Sequence, residues 1–119
     1  MTTFAGAMSA ARLRTVDGHT VIEDIELDGG STGISWVSEV LAATAVRFRH
    51  VSQPFEQESH PAPKRQIGVI LEGCLEVEVH SGDRRQFGPG AVVFLEDTTG
   101  SGHITRILEP ARYVEIHLT

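Results

Sequence analysis

The stretch QIGVILEGCLEVEV, Gln66 to Val79, decides the fold class. Its first part, Gln66 to Leu71, is apolar on both faces, the pattern of a strand covered on two sides. Gly73 ends that run. Beyond it Leu75, Val77 and Val79 alternate with Glu76, Glu78 and His80, the period-two signature of a strand half-buried on one face. Downstream, Ser81-Gly82-Asp83 turns the chain into Arg84 to Phe87, and Gly88-Pro89-Gly90 breaks it again before Ala91 to Leu95. His103 to Leu108 and Arg112 to Leu118 complete the set. Upstream, Ala45 to His50 alternates, with Val46, Phe48 and His50 on one face and Arg47 and Arg49 on the other. Arg12 to Val16 and Thr20 to Leu27 flank Asp17-Gly18, a strong hairpin signal because glycine accepts the positive φ of a type I′ turn.

No segment predicts a helix. Ser35 to Ala45 has apolar residues without a clean stripe and supports at most one short turn. Many short strands with turn signals about every 8–12 residues predict an all-β sandwich or barrel built on one antiparallel core. The expected domain spans residues 12–119, preceded by a small-residue N-terminal arm over residues 1–11.

Composition bounds the function. A chain of 119 residues and 12.9 kDa fits one domain. Sixteen acids against ten bases give a net charge of -6, which is repelled by phosphate backbones and excludes nucleic acid as the expected partner. The single cysteine, Cys74, can form no intrachain disulfide, so nothing requires an oxidising compartment. Met1 to Ala11 lacks the basic start and Leu-rich stretch of a signal peptide, and no run approaches the ~20 apolar residues of a membrane helix. The expectation is a cytoplasmic protein with no membrane partner.

Two further stretches carry a resemblance. HPAPKRQIGVILEGCLEVEV (residues 60–79) and FGPGAVVFLEDTTGSGHITR (residues 87–106) resemble the two signature motifs of the cupin superfamily, in particular a group of short single-domain bacterial cupins. The resemblance implies a double-stranded β-helix, or jelly-roll, barrel. His60 falls on the family's first histidine, Gln66 on its glutamate, and Gly73 on the closing glycine. Ala62 stands where the second histidine would be, and Pro54 where a glycine precedes the motif. In the second motif, Gly100-Ser101-Gly102-His103 keeps the Gly-x2-His ending, while Thr98 replaces the proline and Ile107 the asparagine.

The resemblance implies a metal set of His60, Gln66 and His103 pointing into one end of the barrel. Imidazole suits Zn, Fe, Ni or Mn, and three protein donors leave positions open for water or a ligand. Glutamine in place of glutamate removes the anionic donor, so an ion there is held more weakly but polarises its ligands more strongly. The alternative is a metal-free pocket in which Gln66 only hydrogen-bonds. His50 shares a face with Val46 and Phe48, and reads as a satisfied barrel histidine or a replacement for the missing second ligand. Gly68 lies on the side of Gln66 and leaves room beside the site, unless it marks a bulge. Asp97 sits in a polar loop at the barrel mouth, as an acid/base, a ligand or a local backbone cap.

The remaining polar residues read as surface. His19, His80 and His117 face water; Lys64-Arg65 and Arg84-Arg85 pair with Glu76 and Glu78 across strands. Cys74 has no Cys-His-Asn partners. Two classes of function remain: a metal-dependent isomerase, cyclase, lyase or oxygenase acting on a small organic molecule, and a non-catalytic small-molecule sensor in the same pocket. Open strand edges, together with the resemblance, predict a homodimer.

Overall fold

Asp17 and Gly18 both take positive φ, 50° and 82°, and close a two-residue hairpin between β1 (Ser9–Val16) and β2 (His19–Glu26). The computed structural model describes residues 8–119. Strand β1 begins at Ser9, with Ala10 and Ala11 buried, so the boundary drawn at residue 11 falls inside a strand; residues 1–7 of the expected arm lie outside the described residues. The other strands are β3 (Gly29–Thr32), β4 (Ser35–Ser38), β5 (Ala43–Val51), β6 (Phe55–His60), β7 (Gln66–Val79), β8 (Arg84–Phe87), β9 (Val92–Glu96) and β10 (His103–Leu118). Among the described residues there is no helix.

Strands β7 and β10 organise the molecule. They pair antiparallel along their whole length, from His103 opposite Val79 to His117 opposite Gln66, with register shifts between Ile107 and Tyr113. Each gives its two halves to different neighbours. The first half of β10 and the second half of β7 make a layer β6–β10–β7–β8; the other halves make a larger layer β5–β10–β7–β9–β1–β2. Gly73 allows the bend: its φ is 84°, and a Cβ there would overlap the Pro110 carbonyl of β10. Thus Gly73 does not end a strand, and what reads as two pairs of short strands is two long bent ones.

Two expectations are corrected. The eight-stranded sheet is mixed, because β1 lies parallel to β9 with Ala11 opposite Val93. It is also not a closed barrel, since its main path ends at β2 and β5. The β1–β2 hairpin extends the sheet beyond β9 and leaves the far edges unjoined. Ser35 to Ser38 forms a strand as well, paired with β3 in a separate two-stranded sheet, where Trp36 packs over Gly29.

The inner faces meet in a core of Leu13, Ile70, Val77, Phe87, Val93, Ile107 and Ala111. The outer faces differ. On the smaller layer Arg106 bridges Glu76 at 3.1 Å and Glu78 at 2.8 Å, and Arg84 approaches Glu78, a charged and solvated face. On the larger layer, the register lines up two apolar rows across four strands: Phe48–Val114–Val69–Val92 and Val46–Ile116–Ile67–Phe94.

Candidate functional site

A cavity of about 650 Å³ lies between the layers, lined by alternate residues of β5 to β10. Apolar side chains, among them Ile70, Leu75, Val77, Phe87 and Ile107, form its floor. Polar groups gather in two places.

The first is where β6 meets the start of β10. His60 is the Cα partner of His103, and their rings lie 5.6 Å apart between centroids, tilted by 55°. A bulge produces this meeting: Gln57 pairs with Thr105 but His60 with His103, so β6 spends one residue more than β10. The extra residue brings Gln57 and His60 to the same side, both lining the cavity. Gly102 permits the close approach, with φ 71° and no Cβ to collide with the His60 carbonyl.

Both imidazoles are held from behind. His60 Nδ1 lies 2.8 Å from the Pro61 carbonyl oxygen; because that oxygen only accepts, Nδ1 carries the proton and Nε2 keeps its lone pair. Nε2 of His60 is buried without a partner among the described residues. His103 Nδ1 lies 2.6 Å from Asp97 Oδ2, donating to the carboxylate, which also accepts from the Thr20 hydroxyl at 2.8 Å. Asp97 is fully buried, and its Oδ1 has no partner among the described residues. An acceptor that fixes Nδ1–H and leaves Nε2 to the site is the usual support of a metal-ligating or proton-transferring histidine.

The second polar group is on the larger layer. Gln66 pairs with His117, and Glu115 pairs with Arg47 on one side and Gly68 on the other. Arg47 donates to Glu115 Oε2 at 2.9 Å, Arg49 donates to Oε1, and all three line the cavity. Burial pushes the Glu115 carboxyl up, but the hydrogen bonds from the two arginines outweigh it and hold it below its ordinary value of 4.5. Burial likewise pushes the Tyr113 hydroxyl up.

His60, Gln66, Gly68 and His103 therefore line one cavity. A Cβ on Gly68 would meet only Leu95 Cδ1 at 3.8 Å and the Val93 carbonyl at 4.0 Å, so the space over it is open. His50 is not in the cavity: β5 turns it outward with Val46 and Phe48, and it is exposed. Asp97 does not line the cavity either; it stands behind His103, fully buried and bonded to its Nδ1, and so is not a surface cap. Sequence reasoning missed His117, Arg47 and Arg49, which line the cavity. Arg65 and Arg85 pair with Glu96 and Asp24, not with Glu76 and Glu78.

The donors that could hold a metal are His60 Nε2 and the His103 ring, with Gln66 on the facing layer. The orphaned, buried Nε2 and the two held Nδ1 atoms fit the imidazole half of such a set. Among the described residues, no group of three or more His, Cys, Asp or Glu side chains could hold an ion, so a third protein donor would have to be a neutral group of the lining, such as Gln66 or Gln57. No helix among the described residues is long and apolar enough to cross a membrane. No family model matches the chain, and no curated protein matches it.

Proposed function

We propose that this chain is a small jelly roll of cupin type that binds a divalent transition metal and a small organic ligand in its cavity, with His60, Gln66 and His103 as protein donors. The observation that carries the reading is the imidazole pair: both rings line one cavity, and each has its Nδ1 engaged by an acceptor behind it. The two layers that share β7 and β10 support the jelly roll. When bound, the ion would supply Lewis acidity to a ligand oxygen. The chain's own residues orient and tune the donors. Asp97 holds the His103 ring by its Nδ1, the Pro61 carbonyl holds His60, and the neutral Gln66 leaves an ion's charge undiminished. The apolar floor keeps water from the ligand.

Elemental analysis of protein purified without added metal tests this. Near-stoichiometric Zn, Fe, Ni or Mn is expected, lost in both His60→Ala and His103→Ala while circular dichroism stays that of the wild type. Retention of metal by either variant refutes the donor set. A second reading, a metal-free binding module using the same cavity, is favoured by Ala62, 2% exposed at the place of the family's second histidine. Failure to retain any of the four ions after reconstitution selects it.

The same reading includes a homodimer through the outer face of the larger layer. Phe48 is 76% exposed there, and Val46 on β5 and Val40 and Leu41 just before it are at least half exposed. Side chains of this size supply much of the roughly 800 Å² that each partner contributes to a standard interface. The charged outer face of the smaller layer offers nothing comparable.

A further inference from the structure

Strand β5 runs against the pattern of a sheet facing water on one side. It turns Arg47 and Arg49 toward the cavity and Val46 and Phe48 outward. A slip of one residue would reverse both, placing the apolar pair inside and the arginines in solvent. The pairing of β5 with β10 instead fixes Arg47 opposite Glu115 and Arg49 opposite Tyr113.

The consequence is a cavity whose charge opposes that of the whole chain. Its lining holds three cations, Arg47, Arg49 and Lys64, against one carboxylate, Glu115, in a protein of net charge -6. Glu115 accepts from Arg47 Nε and Nη2 and from Arg49 Nε. Nη1 of Arg47 and both Nη atoms of Arg49 have no acceptor among the described residues. Glu115 thus holds the two guanidinium groups side by side without using up their donors. Beside it in the register is Gly68, whose missing side chain leaves the adjoining space open, followed by Gln66 on the same face.

Resting on the reading of this cavity as a ligand site, we infer that its ligand is a small organic monoanion, a carboxylate with an apolar body. Arg47 and Arg49 receive the carboxylate, the body lies over Gly68 against the apolar floor, and the far end reaches toward the His60–His103 pair. Guanidinium forks match a carboxylate in shape. The net charge of the cluster selects a monoanion, since Glu115 repels the second charge of a phosphate monoester. A positive cavity in a negative molecule concentrates such anions at its entrance.

The probes are benzoate, phenyl phosphate, benzamide and benzylamine, titrated into the whole chain by calorimetry at millimolar concentration, with and without Zn²⁺. Benzoate is expected to bind best, with benzamide about tenfold weaker or more. Arg49→Gln should weaken benzoate about tenfold, whereas Arg106→Gln, which removes the same charge from the outer face, should leave it unchanged. Equal binding of benzamide or benzylamine, no binding of benzoate, or tighter binding of phenyl phosphate overturns the inference. So does an equal loss in Arg106→Gln, which would make the effect one of total charge. Metal retention is measured separately: benzoate bound at Arg49 without retained metal sinks the metal reading alone, and metal retained without benzoate binding sinks this inference alone.

Discussion

Gly102 is the residue on which the meeting of His60 and His103 depends. Its positive φ and the His60 carbonyl crowding its missing Cβ leave no room for a side chain. Gly102→Ala should cost about 1–3 kcal/mol from the backbone alone, read as a lower midpoint in denaturant, and should also shift both imidazole resonances. Asp97→Asn removes the charge behind His103; if metal is bound, affinity should fall about 10–100-fold by titration against a chelator. Glu115 sets an acid limit. The fold favours its ionised form, so its contribution is complete above the ordinary value of 4.5 and lost as pH falls through the lowered one. Glu115→Gln should remove that part of the acid destabilisation, measured as stability against pH from neutrality to about pH 3.

At this scale the sequence was informative where a motif fixed positions. His60, Gln66 and His103 line one cavity, as the resemblance implies, and Gly68, two residues after Gln66, lines it too. It misled where face was inferred from polarity. His117 reads as solvated because its neighbours Ile116 and Leu118 are apolar, yet Ile116 belongs to an outer row of the larger layer; Arg47 and Arg49 read only as the face opposite Val46 and Phe48. Asp97 read as a loop cap because nothing local distinguishes it; its partners Thr20 and His103 come from distant strands.

Among the elements, β7 and β10 were legible as apolar alternation, but their continuity was not. A glycine with positive φ ends a strand in most contexts, and here it only bends one, because Pro110 of the partner strand nests against it. Gly73→Val should therefore unfold the chain or lower its thermal midpoint far more than Gly68→Val, which meets only ordinary contacts. The difference between the two variants is the measurement that counts. Gly68→Val should instead reduce ligand binding while the melting curve stays close to wild type. Strand β6 was invisible because FEQESH has one apolar residue, and a bulge breaks the period that would have revealed it. Strands β3 and β4 are held by their mutual pairing, with glycine and serine giving little strand propensity.

For the whole molecule, the asymmetry between the two outer faces makes a definite expectation. Sedimentation should give twice the 12.9 kDa chain mass, and Phe48→Glu should return the monomer without loss of β-sheet signal. A monomeric wild type at micromolar concentration would mean that Val46 and Phe48, at the β5 end of the apolar rows, remain exposed. The all-β class followed from the sequence because period-two alternation is a local property. The parallel contact of β1 with β9 did not, since nothing near residue 11 encodes a neighbour at residue 93.

That same contact orders events in time. A ribosome releases the β1–β2 hairpin long before β9 exists, so Ala11 and Leu13 emerge with no strand to receive them. The hairpin can close by itself through its own turn, but the sheet it extends is assembled only after Val93 to Glu96 appears. Long-range pairings of this kind are entropically costly to start and slow to form, on the order of milliseconds to seconds. The nascent chain is therefore at its most vulnerable while its first strands wait for β9.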